Sequence, residues 1–315
     1  MAKLINDLHL AAKALQQGQV VAFPTETVCG LGASALSFDA CNRIYQLKGR
    51  PSFNPLIVHV ADLNQAKLIG EFSDIAIKLA EKFWPGPLTL VVKLKQTANI
   101  ASNVTAGLDT IAIRVSAHPI TSELLKLANI PIAAPSANLS GYVTSTSPQH
   151  VLNDFTDKDL YVLSSDEASQ YCGLESTIID TTGKLTILRS GVILPPDIQE
   201  VCGIWPETCC QDNDAPKAPG MLLAHYSPVS KLRLNAAKLK NDEVGLDFNN
   251  HFTSNFSLSK SGNLEEAAHN LYALLREADR QVIQKGLKGI AVAKIPYVGI
   301  GIAINDRLFK AASKK

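Results

Sequence analysis

Residues 19–60 read QVVAFPTETVCGLGASALSFDACNRIYQLKGRPSFNPLIVHV. The apolar run Gln19 to Phe23 predicts a strand, and Pro24 ends it. A loop rich in threonine and glycine follows. From Ser37 to Lys48 the pattern turns helical, and Gly49, Pro51 and Pro55 then fix a stiff turn. Leu56 to Val60 is β-branched and apolar again. Strand, helix and strand in succession predict an α/β fold.

The flanks extend the pattern. Leu4 to Gln17 reads as an amphipathic helix stopped by Gly18. Ser73 to Trp84 is helical and broken by Pro85, Gly86 and Pro87, with Trp84 as a packing anchor at the turn. Strands are expected at Leu88 to Leu94, Ile111 to Val115, Ile132 to Ala134, Ser176 to Asp180 and Leu185 to Arg189, and a helix at His118 to Ala128. Short helices among irregularly spaced strands imply a mixed rather than purely parallel sheet. Leu194 to Pro228 then carries six prolines and no period, and reads as a long linker with one short helix near Ile198. A smaller β-α-β unit follows. Its strands are Lys231 to Leu234, Glu243 to Phe248 and Gly289 to Ile295. Its helices are Leu264 to Lys285, with Asn263 and Glu266 as a capping box, and Asn305 to Ala312. The expected partition is residues 1–194, a linker over 195–229, and a small domain over 230–315.

The chain has 315 residues, 46% of them hydrophobic and 19% charged, with a net charge of +1. That suffices for two cores and excludes a disordered or strongly basic protein. No run of about 18 apolar residues occurs, so no membrane span is expected. The amino terminus lacks a signal-peptide pattern. Six cysteines form no C-x-x-C pair, which points to free thiols in a reducing, cytoplasmic compartment. Cys202, Cys209 and Cys210 are close enough in sequence to leave metal binding or a disulfide open.

Three segments could carry chemistry. Lys48-Gly-Arg50, followed by Pro51 to Pro55, places two cations at a helix end beside a rigid turn. They suit a phosphate group, and equally a helix dipole. Ala134-Pro-Ser136-Ala-Asn138-Leu-Ser-Gly141 is a loop of small residues whose backbone N–H groups could approach an anion; it also reads as an ordinary turn. Pro24 to Gly32 offers two hydroxyls and a carboxylate just past a strand, where α/β ligand crevices lie. His59, alternating with apolar residues, reads in isolation as a core or surface histidine. No P-loop, dinucleotide or nucleophile-elbow motif occurs.

Taken in order, PTETVCGLG (24–32), KGRPSFNPL (48–56), FWPGPLTLV (83–91), IAIRV (111–115), APSANLSG (134–141), GLESTIID (173–180), LRSG (188–191) and APGMLLAHYSP (218–228) resemble the L-threonylcarbamoyladenylate synthase family, the Sua5/YrdC/YwlC group. The two-part Sua5 type is the match. The resemblance covers nearly the whole chain, densely through residue 195 and more weakly after 230.

It implies a YrdC-like twisted mixed sheet with a concave basic face, plus a small C-terminal α/β domain of Rossmann-like build. It also implies the reaction: L-threonine, bicarbonate or CO2, and ATP give threonylcarbamoyl-AMP and pyrophosphate for the t6A modification of tRNA. Mg2+ would travel with ATP, and the product would pass to the tRNA threonylcarbamoyl-transfer machinery. By the same resemblance Lys48, Arg50, Ser136 and Asn138 hold the triphosphate. Asn54, Thr110, Thr144, Arg189 and Tyr226 contact the nucleotide. Thr27, His59, Arg114, Ala134 and Ser176 take threonine, and His225 with Tyr226 closes over the site. Cys29 stands where the family commonly carries an aromatic residue, so one pocket wall is expected to be smaller. Met221 to Ala224 replace basic residues that many relatives have before the histidine. An RNA-binding module of the same fold, with weak RNA affinity, is the alternative from another class; a carbamoyl-handling maturation module is a third.

Overall fold

A computed structural model of the chain describes residues 1–164, 172–209, 218, 225–252 and 256–313. Cys210 and the Met221 to Ala224 replacement lie outside the described residues, as does most of the APGMLLAHYSP segment.

Two sheets organise the described chain. The larger has twelve strands, whose main path runs Lys3–Ile5, Tyr161–Leu163, Val21–Phe23, Gly30–Ser34, Ile132–Ala133, Ile57–His59, Thr110–Arg114, Leu88–Leu94, Thr177–Asp180, Thr186–Arg189, Glu207–Thr208. Parallel pairs (Ile57–His59 with Thr110–Arg114) and antiparallel pairs (Leu88–Leu94 with Thr110–Arg114) both occur, so the sheet is mixed. The smaller sheet is parallel, in the order Lys231–Arg233, Gly289–Val292, Glu243–Asp247, Phe256–Ser257. Its helices are Leu264–Lys285 and Gly301–Ala312.

Several expectations change for identifiable reasons. The first helix is Leu8–Gln16, because the Asp7 carboxylate accepts the His9 and Leu10 N–H groups and sets the start. Lys3–Ile5 ahead of it is an edge strand paired in parallel with Tyr161–Leu163, a partner that no local pattern announces. Gly30–Ser34, expected as loop, is a strand. A Cβ on Gly32 would lie 2.5 Å from the Phe23 ring and 2.8 Å from Ile132, so the small residues are what lets this strand pack. The capping box at the long C-terminal helix is half formed. The Asn263 side chain accepts the Glu266 N–H, but the Glu266 carboxylate bonds Ser259 and Ser261 instead. The last helix begins at Gly301 rather than Asn305.

The proline-rich stretch contains more structure than a linker pattern suggests. Helix Pro195–Cys202 packs on helix Asp74–Phe83, and Ile198 is fully buried in the main core. Glu207–Thr208 adds a parallel strand beside Thr186–Arg189. Ala218 is buried with Ile57, Ala112 and Ile178 on one face of the large sheet. Trp84 packs edge-on to Phe72, and its indole N–H donates to Leu88 O at 2.8 Å, fixing the turn into strand Leu88–Leu94.

The two sheets share apolar and polar contacts. Val28, Val143, Leu174 and Tyr226 join the core formed by the C-terminal helices. Glu175, from the loop before strand Thr177–Asp180, reaches into this seam. Thr144 donates to Glu175 Oε1 at 2.9 Å, the Tyr272 hydroxyl donates across both carboxylate oxygens at 3.1 and 3.0 Å, and Arg307 Nε donates to Oε2 at 3.1 Å. Burial alone would raise the Glu175 pKa; the Arg307 and Arg189 charges outweigh it and bring it from 4.5 to about 2.

Because the folded value lies below the unfolded one, this carboxylate stabilises the fold above pH 4.5 and loses that contribution as pH falls toward 2. The shift corresponds to something on the order of 3 kcal/mol. Urea unfolding across this range is expected to fall more steeply for the wild type than for a Glu175→Gln, Arg307→Met double variant. Equal slopes would exclude the pair as an acid-sensitive tie.

Candidate active site

One cleft opens on the large sheet beneath His225 and Tyr226. It encloses about 510 Å3 of empty space, solvent at its mouth included, and is lined by Thr27, Arg50, His59, Arg114, Ser136 and Arg189 among others. Ala134, His225 and Tyr226 complete nine of the fifteen positions expected from sequence, and Glu175 and Cys29 add two more walls. The other six stand behind the lining or beyond it.

Lys48 is the clearest revision. It does not face the cleft. Helix Phe38–Lys48 ends at Gly49, in the left-handed conformation, and delivers the buried Lys48 ammonium under the Ala134–Gly141 loop. There it donates to the carbonyls of Ser136, at 2.6 Å, and Asn138. Burial first, and then the Arg50 charge, pushes its pKa well down. Asn138 is also turned inward, donating to the Leu139 and Tyr142 carbonyls at 2.8 and 2.9 Å. Lys48 and Asn138 thus hold the loop's shape, and Ser136 presents it to the cleft.

Asn54 similarly serves Arg50. The Arg50 guanidinium donates to the Asn54 carbonyl at 3.1 Å, its side-chain oxygen at 2.6 Å and the Pro55 carbonyl at 2.8 Å. The Pro-bounded turn therefore immobilises a planar cation in advance. Burial, aided by Arg189, lowers the Arg50 pKa to about 10, which leaves it charged at neutral pH. Arg189 in turn donates to the Ser176 carbonyl at 3.1 Å and hydroxyl at 3.0 Å, so Ser176 lies beneath Arg189. Thr144 is spent on Glu175. Thr110 shares the face of Arg114 on the same strand, four residues or about 13 Å away, where only an extended ligand would meet it.

A second cluster on the lining is built around Arg114. It donates to Glu26 at 2.7 Å, to the Thr27 hydroxyl at 2.9 Å and to the Gly86 carbonyl at 3.3 Å. Among the described residues three of its five N–H groups are used, one on Nε and one on each terminal nitrogen. Burial would raise the Glu26 pKa, but Arg114 and the Ser116 hydroxyl bring it down to about 2. His59 sits on the neighbouring strand. Burial and the Arg114 charge lower its pKa to about 3, so its ring is neutral at ordinary pH, and its buried Nδ1 has no hydrogen-bond partner among the described residues.

Sequence reasoning left Glu26 unassigned and passed over Glu175, although both lie inside motifs it had singled out. The available signal was a carboxylate set among apolar or hydroxyl residues beside a strand, where burial demands a cationic partner. Cys29 is 2% exposed and burial pushes its thiol up to about 12, so it is a small inert wall. The described cysteines Cys29, Cys41, Cys172 and Cys202 are free thiols.

The roof is His225 and Tyr226. The two rings meet edge to face at 4.1 Å, and Tyr226 stacks on Tyr272 at 5.7 Å. Tyr226 holds φ at +65°, a left-handed conformation that costs a non-glycine residue roughly 1–2 kcal/mol. Its buried hydroxyl has no hydrogen-bond partner among the described residues.

This arrangement can be set beside known proteins. Residues 13–191 match the Sua5/YciO/YrdC family, described as "Telomere recombination", and residues 193–313 match "Threonylcarbamoyl-AMP synthase, C-terminal domain". A threonylcarbamoyl-AMP synthase of Pyrococcus abyssi is 38% identical, with 97% of this chain and 94% of the relative aligned. One from Bacillus subtilis is 37% identical over 98% and 94%. The crystal structure of P. abyssi Sua5 complexed with L-threonine superposes with a TM-score of 0.86 at 32% identity, covering 99% of this chain and 97% of that one. Escherichia coli YciO, at 21% identity and a TM-score of 0.52, shares the fold over 61% of this chain. With both parts matched in order and relatives aligned almost end to end, the chain belongs to the Sua5/YrdC family, in its two-part Sua5 form.

Proposed function

We propose that this protein makes threonylcarbamoyl-AMP from L-threonine, bicarbonate or CO2, and ATP, with release of pyrophosphate. One observation carries the reading. One cleft is lined both by Arg50, Arg189 and the Ser136 loop, groups suited to phosphate, and by Thr27, His59 and Arg114, groups suited to an amino acid. The family and its full-length synthase relatives support catalysis over the RNA-binding alternative.

In the proposed reaction the neutral threonine amine forms a nitrogen–carbon bond to CO2 and gives up a proton to solvent, leaving a carbamate; from bicarbonate, that proton and the displaced hydroxide leave as water. A carbamate oxygen attacks the α-phosphorus of ATP. The bond from that phosphorus to the bridging oxygen breaks, and pyrophosphate departs with the electron pair. No side-chain nucleophile is required, so the protein's work is placement and charge neutralisation. The two N–H groups of Arg114 left uncommitted among the described residues, with Thr27, hold the threonine carboxylate. Neutral His59 offers a ring nitrogen as acceptor to the amino acid. Ala134 borders that subsite, and Ser176 stands behind the lining beneath Arg189. Arg50 and Arg189 meet the phosphates, and Ser136 presents loop N–H groups to them. Lys48, Asn138 and Asn54 keep these groups in place. Thr110 lies where the far end of an extended nucleotide would run, Thr144 supports the wall through Glu175, and His225 with Tyr226 closes the roof.

Mg2+ is expected to arrive with ATP, where it neutralises phosphate charge. Glu26 and Glu175 are each already bound by an arginine. Among the described residues no group of three His, Cys, Asp or Glu side chains is placed to hold a metal. The ATP phosphates themselves would therefore be the ion's main ligands.

No helix among the described residues is long and apolar enough to cross a membrane. We place the reaction in the cytoplasm, where ATP and tRNA meet, with the product passing to the tRNA threonylcarbamoyl-transfer machinery.

Mass spectrometry after incubation with ATP, threonine and bicarbonate should find threonylcarbamoyl-AMP; its absence with properly folded protein would refute the function. Arg50→Ala is expected to lower threonine- and bicarbonate-dependent pyrophosphate release by at least about a hundredfold, the scale for removing one preorganised charge from phosphate. Undiminished release would remove the phosphate role. Lys48→Met should act differently, because it frees two loop carbonyls rather than a ligand contact. A roughly tenfold rise in the KM for ATP, with a lowered melting temperature, is expected. An unchanged KM would show that the loop does not need this tie.

A further inference from the structure

The C-terminal body reaches the cleft through one carboxylate. Glu175 lines the cleft, yet its oxygens are bound by Tyr272 and Arg307 from the C-terminal helices, 97 and 132 residues away. The loop that carries it is seated on the same body. Gly173 has φ of +72°, and a Cβ there would collide with the backbone of Ala268 and His269 in helix Leu264–Lys285. Only glycine permits so close an approach.

The same two C-terminal side chains also touch the roof. Tyr272 stacks on Tyr226, and the Arg307 guanidinium lies over the Tyr226 ring at 5.5 Å. On the other side, Glu175 is followed by Ser176, whose hydroxyl and carbonyl receive Arg189 and whose hydroxyl also meets Thr89 at 2.7 Å. A displacement of Glu175 would therefore be felt at Ser176, Arg189 and Tyr226 together. A tie that merely joined two bodies could sit anywhere on the seam. Arg276 and Asp154 form such a tie at 2.6 Å, and neither lines the cleft.

We infer that Tyr272 and Arg307 are positioning residues of the synthase site: through Glu175 and Tyr226 they hold one wall and the roof of the cleft at the spacing the substrates need. The C-terminal body is then a working part of the active site. This inference rests on the proposed function.

The test uses full-length wild type, Tyr272→Phe, Glu175→Gln and the double variant. Tyr272→Phe keeps the ring stacked on Tyr226 and deletes only the hydroxyl; Glu175→Gln keeps volume. Both are checked for a cooperative melt. Tyr272→Phe is expected to raise the KM for threonine and for ATP roughly tenfold, the scale for a lost bond to a charged group, with kcat within about twofold. The double variant should be less impaired than the sum of the two single variants, because both changes weaken the bond between the Tyr272 hydroxyl and residue 175. Folded Tyr272→Phe with wild-type KM values, or strictly additive effects, would overturn the inference. The wild-type assay separates the two claims. Absence of wild-type product removes the proposed function and this inference with it, whereas wild-type product with unaffected variants removes the inference alone.

Discussion

Four basic side chains are buried at the cleft, Arg50, Arg114 and Arg189 on its lining and Lys48 behind the Ala134–Gly141 loop. Burying charge in this way is costly unless each group is answered, and much of the architecture follows from how the answers are supplied. Lys48 is answered by two loop carbonyls, Arg50 by the Asn54 and Pro55 turn, Arg114 by Glu26, and Arg189 by Ser176. Carbonyls and hydroxyls orient a cation without cancelling its charge. Two carboxylates on or beside the cleft add charge balance, Glu26 bonded to Arg114 and Glu175 coupled to Arg189 as well as to Arg307.

A preorganised cationic site also needs walls that stay put. The strained Tyr226 and the closely seated Gly173 both depend on the C-terminal helices for their surroundings. The apolar seam of Val28, Val143, Leu174 and Tyr226 with those helices stabilises the contact, and Glu175 gives it direction. Hydrophobic burial alone would tolerate sliding; a carboxylate bound from three elements fixes a single register. The two bodies thus meet behind one wall and the roof of the cleft.

Much of this was legible locally. β-branched composition located strand Leu88–Leu94 and, one residue late, strand Thr110–Arg114, and the 3.6-residue period located helix Leu264–Lys285 with its Asn263 cap. Strands of small residues such as Gly30–Ser34, or of three residues at a sheet edge such as Lys3–Ile5, carry too little side-chain signal to be seen. The site residues were largely identified through motif order, and nine of the expected positions do meet in one cleft. Which faced the ligand and which stood behind was not legible. Lys48 and Arg50 lie two residues apart in one motif, yet one supports a loop and the other lines the cleft.

By itself the sequence determined the types of element, the mixed α/β class, and the chemistry available at each motif. These follow from properties carried over a few residues: period, side-chain shape, and turn restriction by glycine and proline. Only the tertiary structure decided what each polar group is bonded to. Lys48 meets carbonyls about ninety residues away, and Glu175 meets helices from the far end of the chain. The physical reason is that a buried charge takes whatever complementary group the packed fold brings within 3 Å, and that identity is a property of the assembled core rather than of any local stretch.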